Sequence, residues 1–356
     1  MRRVLLPHHI SEDPAPAGGT IVDVEGRSMG TTWSVRLVAP AAAPARFAPD
    51  LRDGLQRQLD AVVAQMSHWD AQSDLGRYNR APAGSWHALA PDFFAVLDFA
   101  LDVMRDSGGA YDPCAGALVN AWGFGPEGRY DQPDFIAPTR ERINAVRAQR
   151  AAQLVQFDRA TRQLYQPGGV RLDFSAVAKG YGVDKLAACL DAQGVHHYLV
   201  EVGGELRGAG VKPDGQPWWV ALEQPPSAMA APPASSAPSA SSDIAPLDDV
   251  VLALHGLSVA TSGDYLRYFE RDGRRLSHTI DPRSGAPAPH DLASVTVVHA
   301  HCMAADAWST ALTVLGPQAG LALAEQRGLA ARFVRRGPHG FHETLSSHLR
   351  AMLESA

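Results

Sequence analysis

Apolar and polar residues alternate with a period of two along this chain far more often than a strand–helix–strand unit recurs, and that imbalance restricts the fold most. Residues 21–25 and 33–38 alternate on either side of Gly30 and predict two strands joined by a turn there. Further strands are expected at 154–157, at 170–174, at 197–202 (closing on Gly203 and Gly204), at 218–222, from about Val250, and at 293–299, 331–334 and 341–344. Residues 265–269 and 275–280 read as a hairpin around Arg271, Asp272 and Gly273.

Helical spacing takes over in between. Leu51, Leu55, Leu59, Val62, Val63 and Met66 predict a helix over 50–66 with Asp50 as its N-cap. A second helix is expected over 91–106, stopping at Gly108 and Gly109, and a polar surface helix over 139–150. Ser175 is placed as the cap of a helix that carries Val177, Tyr181, Leu186 and Leu190 and ends at Gly194. An apolar helix over 304–315 and another over 317–327 complete the set. So many strands with so few clean βαβ units predict the α+β class, with mixed or antiparallel sheets and flanking helices, rather than a doubly wound sheet.

The 356 residues are 46 % apolar, which is ample for a sizeable core. Residues 1–19 are expected to be disordered, and 20–350 to form one domain with an insertion at 225–247. The insertion is rich in Pro, Ala and Ser, with almost no large apolar residues to offset its ordering entropy, so it reads as a flexible loop. Charges of both signs are mixed, with a net charge of −6 and no basic stripe, which argues against a nucleic-acid partner. No stretch is long enough to span a membrane. The apolar run before Pro7 is shorter than a secretory core, so a soluble protein without a visible leader is expected. Cys114, Cys189 and Cys302 lie far apart and are read as small buried side chains, not as a disulfide or zinc framework. Neither common phosphate-loop motif occurs.

Five segments carry residues suited to chemistry. Asp306 is the only charge in the apolar helix 304–315, and Thr310 follows one turn later on the same face. An acid and an alcohol so placed offer hard oxygens to magnesium; the alternative is a helix cap or an arginine partner for Asp306. Residues 172–181 form a strand-to-helix turn whose amides favour phosphate, with Asp173 and Lys179 as ligand contacts or as ordinary capping and surface residues. His278 stands before Asp281, Pro282 and Gly285 and is a candidate general base or a structural turn residue. Trp69 and Tyr111 head two aromatic-bearing turns that either stack on a flat ring or pack a core.

The order of these blocks is more specific than any one of them. Gly26, Met29, Gly30 and Thr31 come first, followed by Met66 and Ser67 with Ser73 and Asn79. Tyr111, Asp112 and Pro113 then lead to Trp122, Gly123 and Phe124. The continuous run 173–184 and Gly203, Gly204 and Glu205 come next. Residues 261–265, His278 to Gly285, and Ala305 and Asp306 to Thr310 and Ala311 complete the series. Over about residues 20–345 the series resembles the ApbE family of FAD:protein FMN transferases.

The resemblance implies magnesium-dependent transfer of FMN from FAD to a Thr or Ser hydroxyl of an acceptor protein through a phosphoester bond, releasing AMP. It implies magnesium held by Asp306, Thr310 and the backbone carbonyl of Ala176. FAD contacts map to Met29, Trp69, Ala110, Tyr111, Asp112, Asp173 and Lys179. His278 maps to the histidine that assists the acceptor, with Asp306 as a further catalytic residue. Glu201, Ser284, Cys114 and Met303 depart from the family's common residues.

Acceptors in the family are subunits of membrane respiratory complexes, such as the sodium-pumping NADH:quinone reductase. That implies a periplasmic or inner-membrane-associated protein, although no leader or lipobox cysteine is visible and a cytoplasmic location stays open. Two rival activities fit the same residues: an FAD pyrophosphatase releasing FMN and AMP, and a non-enzymatic FAD-binding protein. The Asp306–Thr310 pair favours an enzyme, because binding a flavin needs no cation.

Overall fold

The two strands expected around Gly30 open an eight-stranded sheet. In the computed structural model, which describes residues 2–10, 13–42, 47–151, 156–226, 247–271, 273–289, 291–337 and 340–353, the chain divides into two units. The first comprises Met1–Asp60, Lys179–Tyr265 and Asp291–Ala356; the second comprises Ala61–Ala178 and Leu266–His290.

The large sheet lies in the first unit. From edge to edge its strands are Gly340–Leu345, Ala330–Gly337, Leu292–His299, Leu257–Gly263, Glu205–Ala209, Tyr198–Val202, Thr31–Ala39 and Thr20–Ser28. Every neighbouring pair is antiparallel. Period-two alternation sorts the side chains between its faces. Trp33, Val35, Leu37, Tyr198, Val200 and Val202 pack against Leu51, Leu55 and Leu59 of the helix Phe47–Met66 and Leu186 and Leu190 of the helix Ala178–Ala192. Val38, Leu199, Val259 and Val298 point the other way, onto Trp218, Leu252 and Leu254 of a second, three-stranded sheet. The helix Cys302–Arg327 is broken at Gly316 (φ 80°, ψ 179°) before Pro317, where the sequence separates two helices.

In the second unit the helix Pro91–Asp106 ends, as predicted, on Gly108 and Gly109, both at positive φ. The unit adds the helices Asp74–Asn79, Gly116–Ala121 and Arg140–Ala151 and a three-stranded sheet of Ser85–Ala88, Gln163–Gln166 and Phe157–Asp158. The predicted hairpin pairs Tyr268–Arg271 with Arg274–Ser277. Leu118, Trp122, Phe124, Ile143 and Ile280 form a core here, with Phe269 against it. The α+β class with antiparallel sheets and flanking helices is therefore the observed one.

Several local expectations need correction. Arg2–Leu5, within the segment expected to be disordered, form a strand parallel to Asp249–Leu254, and Leu5 is buried. Asp50 lies inside the first turn of a helix that starts at Phe47, so it is not the N-cap. Residues 170–174 make no strand; only Arg171 bridges, to Ala115. Ser175 precedes a helix that begins at Ala178, and it lies in the turn held by Asp173 rather than capping. Cys189 is half-buried, whereas Cys114 and Cys302 are buried. Residues 154–155 of the strand predicted over 154–157, and 227–246 of the insertion, lie outside the described residues. Among the described residues no helix is long and apolar enough to cross a membrane.

His197 makes the first unit sensitive to acid. Its ring is buried, and its Nδ1 accepts the Val211 N–H at 3.0 Å, which a protonated Nδ1 cannot do. Burial lowers its pKa below the usual histidine value. The unfolded chain therefore gains this proton first, and the stability tied to a neutral His197 is lost as pH falls below about 6.5. The difference in urea unfolding free energy between wild type and His197→Gln is expected to narrow from about pH 7 to 5. A constant difference would contradict this assignment.

Candidate active site

Burial forces Asp306 to find partners. It sits in the apolar first half of the helix Cys302–Arg327, only 4 % exposed, where an uncompensated carboxylate would be costly. Its Oδ2 accepts the N–H of Gly180 at 3.0 Å. A β-carbon on Gly180 would lie 2.8 Å from the Asp306 Cβ, so the glycine permits the approach. Burial raises the Asp306 carboxyl pKa, while Lys179 and the Gly180 amide work the other way.

Lys179 is one residue before Gly180, and its ammonium bonds to the carboxylate of Glu205. Burial works against the ammonium, but Glu205 and then Asp306 outweigh it and raise its pKa. Glu205 is buried and its own pKa is pushed up, chiefly by that burial. Its Oε2 has no hydrogen-bond partner among the described residues. Two buried carboxylates thus face one ammonium, leaving a negative charge for a cation or a proton to neutralise. Cys302, fully buried nearby, has its thiol pKa pushed well up by that burial and is no nucleophile at neutral pH.

Hydroxyl directions complete the cluster in the first unit. Ser309 Oγ donates to the carbonyl of Asp306 at 2.8 Å, and Ser262 Oγ lies 2.7 Å from Ser309 Oγ and 2.9 Å from Thr310 Oγ1. Each hydroxyl has one proton. With Ser309 spending its proton on the carbonyl, Ser262 donates to Ser309, and Thr310 donates to Ser262. The Thr310 lone pairs are then available as an acceptor. Among the described residues no group of three His, Cys, Asp or Glu side chains is arranged around a metal. A cation here would take the Asp306 carboxylate, the Thr310 hydroxyl and water, all hard oxygens, which suits magnesium. The donor set and the orphaned Glu205 oxygen fit such an ion. Met29, at φ 52° in the turn with Gly30, packs its side chain against the helical core, its methyl group close to Gly182.

The second unit holds a cavity of about 160 Å³, lined among others by His68, Trp69, Asn79, Asn120, Arg171 and Asp173. Trp69 is 48 % exposed, an unusual state for an indole, and the Arg129 guanidinium lies 5.8 Å from its ring centre. Asp173 Oδ1 accepts the Ser175 N–H at 2.8 Å and lies 3.6 Å from His68 Nδ1. The structure therefore brings Trp69 and Asp173 to one cavity. Ala110, Tyr111 and Asp112 do not line it: Ala110 and Tyr111 are buried, and Asp112 Oδ1 accepts the Cys114 N–H at 2.7 Å. Ala176 lies in the turn between Asp173 and Ala178.

His278 is half-buried at the base of the Tyr268–Ser277 hairpin, edge-on to Phe124. Its backbone N–H donates to the Arg267 carbonyl at 3.0 Å, and its Nδ1 lies 3.2 Å from the same oxygen. A carbonyl only accepts, so Nδ1 carries the proton and Nε2 is the basic nitrogen of the neutral ring.

The sequence places Glu205, Ser262 and Gly180 in the ordered blocks of the family resemblance but gives none of them a role in the site. Glu205 had one usable signal, an acid directly after a Gly-Gly turn at the start of a strand with an inward face.

Known proteins resemble this chain in sequence and in fold. The ApbE family model matches residues 29–333. A Vibrio cholerae protein named FAD:protein FMN transferase is 35 % identical over 333 residues, spanning 93 % of this chain and 92 % of its own. The Escherichia coli K12 protein of the same name is 34 % identical over 346 residues, 96 % and 92 % of the two chains. Among solved structures, the apo form of Pseudomonas stutzeri flavinyl transferase ApbE superposes with a TM-score of 0.81 at 37 % identity, covering 95 % of this chain and 98 % of that one. The Thermotoga maritima ApbE protein reaches 0.75 at 25 % identity, covering 94 % and 100 %.

Proposed function

The chain belongs to the ApbE family, and from that premise we propose that it is a magnesium-dependent FAD:protein FMN transferase. It moves FMN from FAD to a threonine or serine hydroxyl of an acceptor protein. The acceptor oxygen forms a bond to the flavin-side phosphorus, the bridging P–O bond breaks, and AMP leaves with the bridging oxygen.

The observation that carries this reading is the Asp306–Thr310 arrangement: a buried acid held by the Gly180 amide, one turn from a hydroxyl whose proton is already committed. Asp306 and Thr310 would hold the magnesium ion, and the family resemblance adds the Ala176 carbonyl. Magnesium, when bound, neutralises charge developing on the diphosphate. Lys179, fixed by Glu205, offers an ammonium to a phosphate oxygen or a flavin carbonyl. In the second unit Trp69 presents an aromatic face, and Asp173 an acceptor edge, to a flat ring. His278, with Nδ1 held by Arg267, takes the acceptor's hydroxyl proton at Nε2. The acceptor is proposed to be a subunit of a membrane respiratory complex.

Mass spectrometry of an acceptor domain co-expressed with this protein tests the reading. One Thr or Ser should gain covalent FMN, and AMP should appear in step with it. No adduct, with AMP released equally fast without acceptor, would identify a pyrophosphatase instead. FAD binding with no AMP under either condition would identify a binding protein.

A further inference from the structure

Two carboxylates tie the first turns of two helices to each other. The helix Cys302–Arg327 follows His301, whose side chain makes no capping hydrogen bond. Asp184, from the helix Ala178–Ala192, takes the cap's place. Its Oδ1 accepts the Cys302 N–H at 3.0 Å and its Oδ2 the Met303 N–H at 2.9 Å. In return, Asp306 accepts the Gly180 N–H at 3.0 Å. Each helix therefore supplies the acid that satisfies free amides at the start of the other. Arg207 Nη1, 2.7 Å from Asp184 Oδ1, balances the charge of Asp184.

This exchange fixes a register. Gly180 and Asp184 are one turn apart on one helix, as are Cys302 and Asp306 on the other. Sliding or rotating either helix breaks bonds at both ends. Thr310 lies on the next turn, so the same clamp fixes its hydroxyl against Ser262.

We propose that Asp184 is a positioning residue for the cation site, holding Asp306 and Thr310 in ligating geometry by capping their helix from outside. The proposal rests on the transferase reading above. A plain stabilising role for Asp184 would lower the melting temperature of the protein but leave cation affinity intact in the folded molecules.

The test is Mn²⁺ binding by electron paramagnetic resonance with saturating FAD, on protein shown to be folded by its unfolding curve. Asp184→Ala should weaken Mn²⁺ binding at least about tenfold, the scale typical of groups that orient metal ligands. Asp184→Asn keeps one accepting oxygen and should fall between it and wild type; it decides the question if the alanine variant does not fold. Mn²⁺ affinities within about twofold of wild type in the folded variants would overturn the proposal, given that tenfold scale. Asp306→Asn separates the two levels. If it binds Mn²⁺ like wild type, the cation site itself is misplaced, whatever Asp184 does.

Discussion

Asp306→Asn is expected to slow FMN transfer by about 10³-fold or more while the protein unfolds at the same or a higher urea concentration. The two halves of this result have separate causes. The rate falls because an amide oxygen is a poor substitute for a carboxylate on magnesium, and charge neutralisation by the ion is worth several kcal/mol, of which ~4 kcal/mol is 10³-fold. The fold persists because the amide keeps the shape and an oxygen for the Gly180 N–H. It also removes one of two buried carboxylates that share a single ammonium. Asp306→Ala should be equally inactive but less stable, by about 1–3 kcal/mol, because it leaves the buried Gly180 amide without an acceptor. Single-turnover flavinylation of an acceptor domain, with urea unfolding alongside, checks both variants. Transfer by Asp306→Asn at the wild-type rate without added magnesium would remove this acid from the chemistry.

What the sequence revealed of this arrangement follows from how local each signal is. A lone acid in an apolar helix is a one-dimensional anomaly, so Asp306 and its neighbour one turn on stood out. The break at Gly316 and Pro317 and the hairpin ending at Ser277 were legible for the same reason, since turn chemistry is written in adjacent residues. Glu205 is different. Nothing near it in the chain says that its carboxylate is buried beside Lys179, which lies 26 positions away.

Residues 170–174 show the opposite error. Val170, Leu172 and Phe174 alternate and are buried, as strand residues are. Yet the backbone N–H and C=O of Leu172 are taken by the side-chain amide of Asn79, at 2.7 and 2.9 Å, in place of a neighbouring strand. Arg171 O and Asp173 N bond to Gly116 N and Pro113 O. An alternating pattern reports which side chains are buried and is blind to what the backbone pairs with. The strand Arg2–Leu5 escaped notice similarly, because its order comes from a partner almost 250 residues on.

Gly180→Ala should cost both stability and activity, although alanine is the better helix former. In a free helix the change would gain about 1 kcal/mol. Here the new methyl group would lie 2.4 Å from the carbonyl oxygen of Cys302, 2.7 Å from its carbon and 2.8 Å from the Asp306 Cβ. Two of these are backbone atoms, so no rotamer change relieves them, and the helices must separate. Overpacking of this kind costs about 1–3 kcal/mol, enough to cancel the propensity gain and leave a net loss. The larger consequence is chemical. Separation lengthens the Gly180–Asp306 bond and moves the acid, and a misplacement near 1 Å costs on the order of 10²-fold in rate. Gly54→Ala is the matched control. It also lies within a helix, but its nearest neighbour would be the tip of Arg57 at 3.8 Å. That variant should gain a few tenths to about 1 kcal/mol and transfer FMN at the wild-type rate. Urea unfolding and flavinylation rates on both variants decide the matter. If Gly180→Ala matched Gly54→Ala on both measures, the close approach of the two helices would not be what places Asp306.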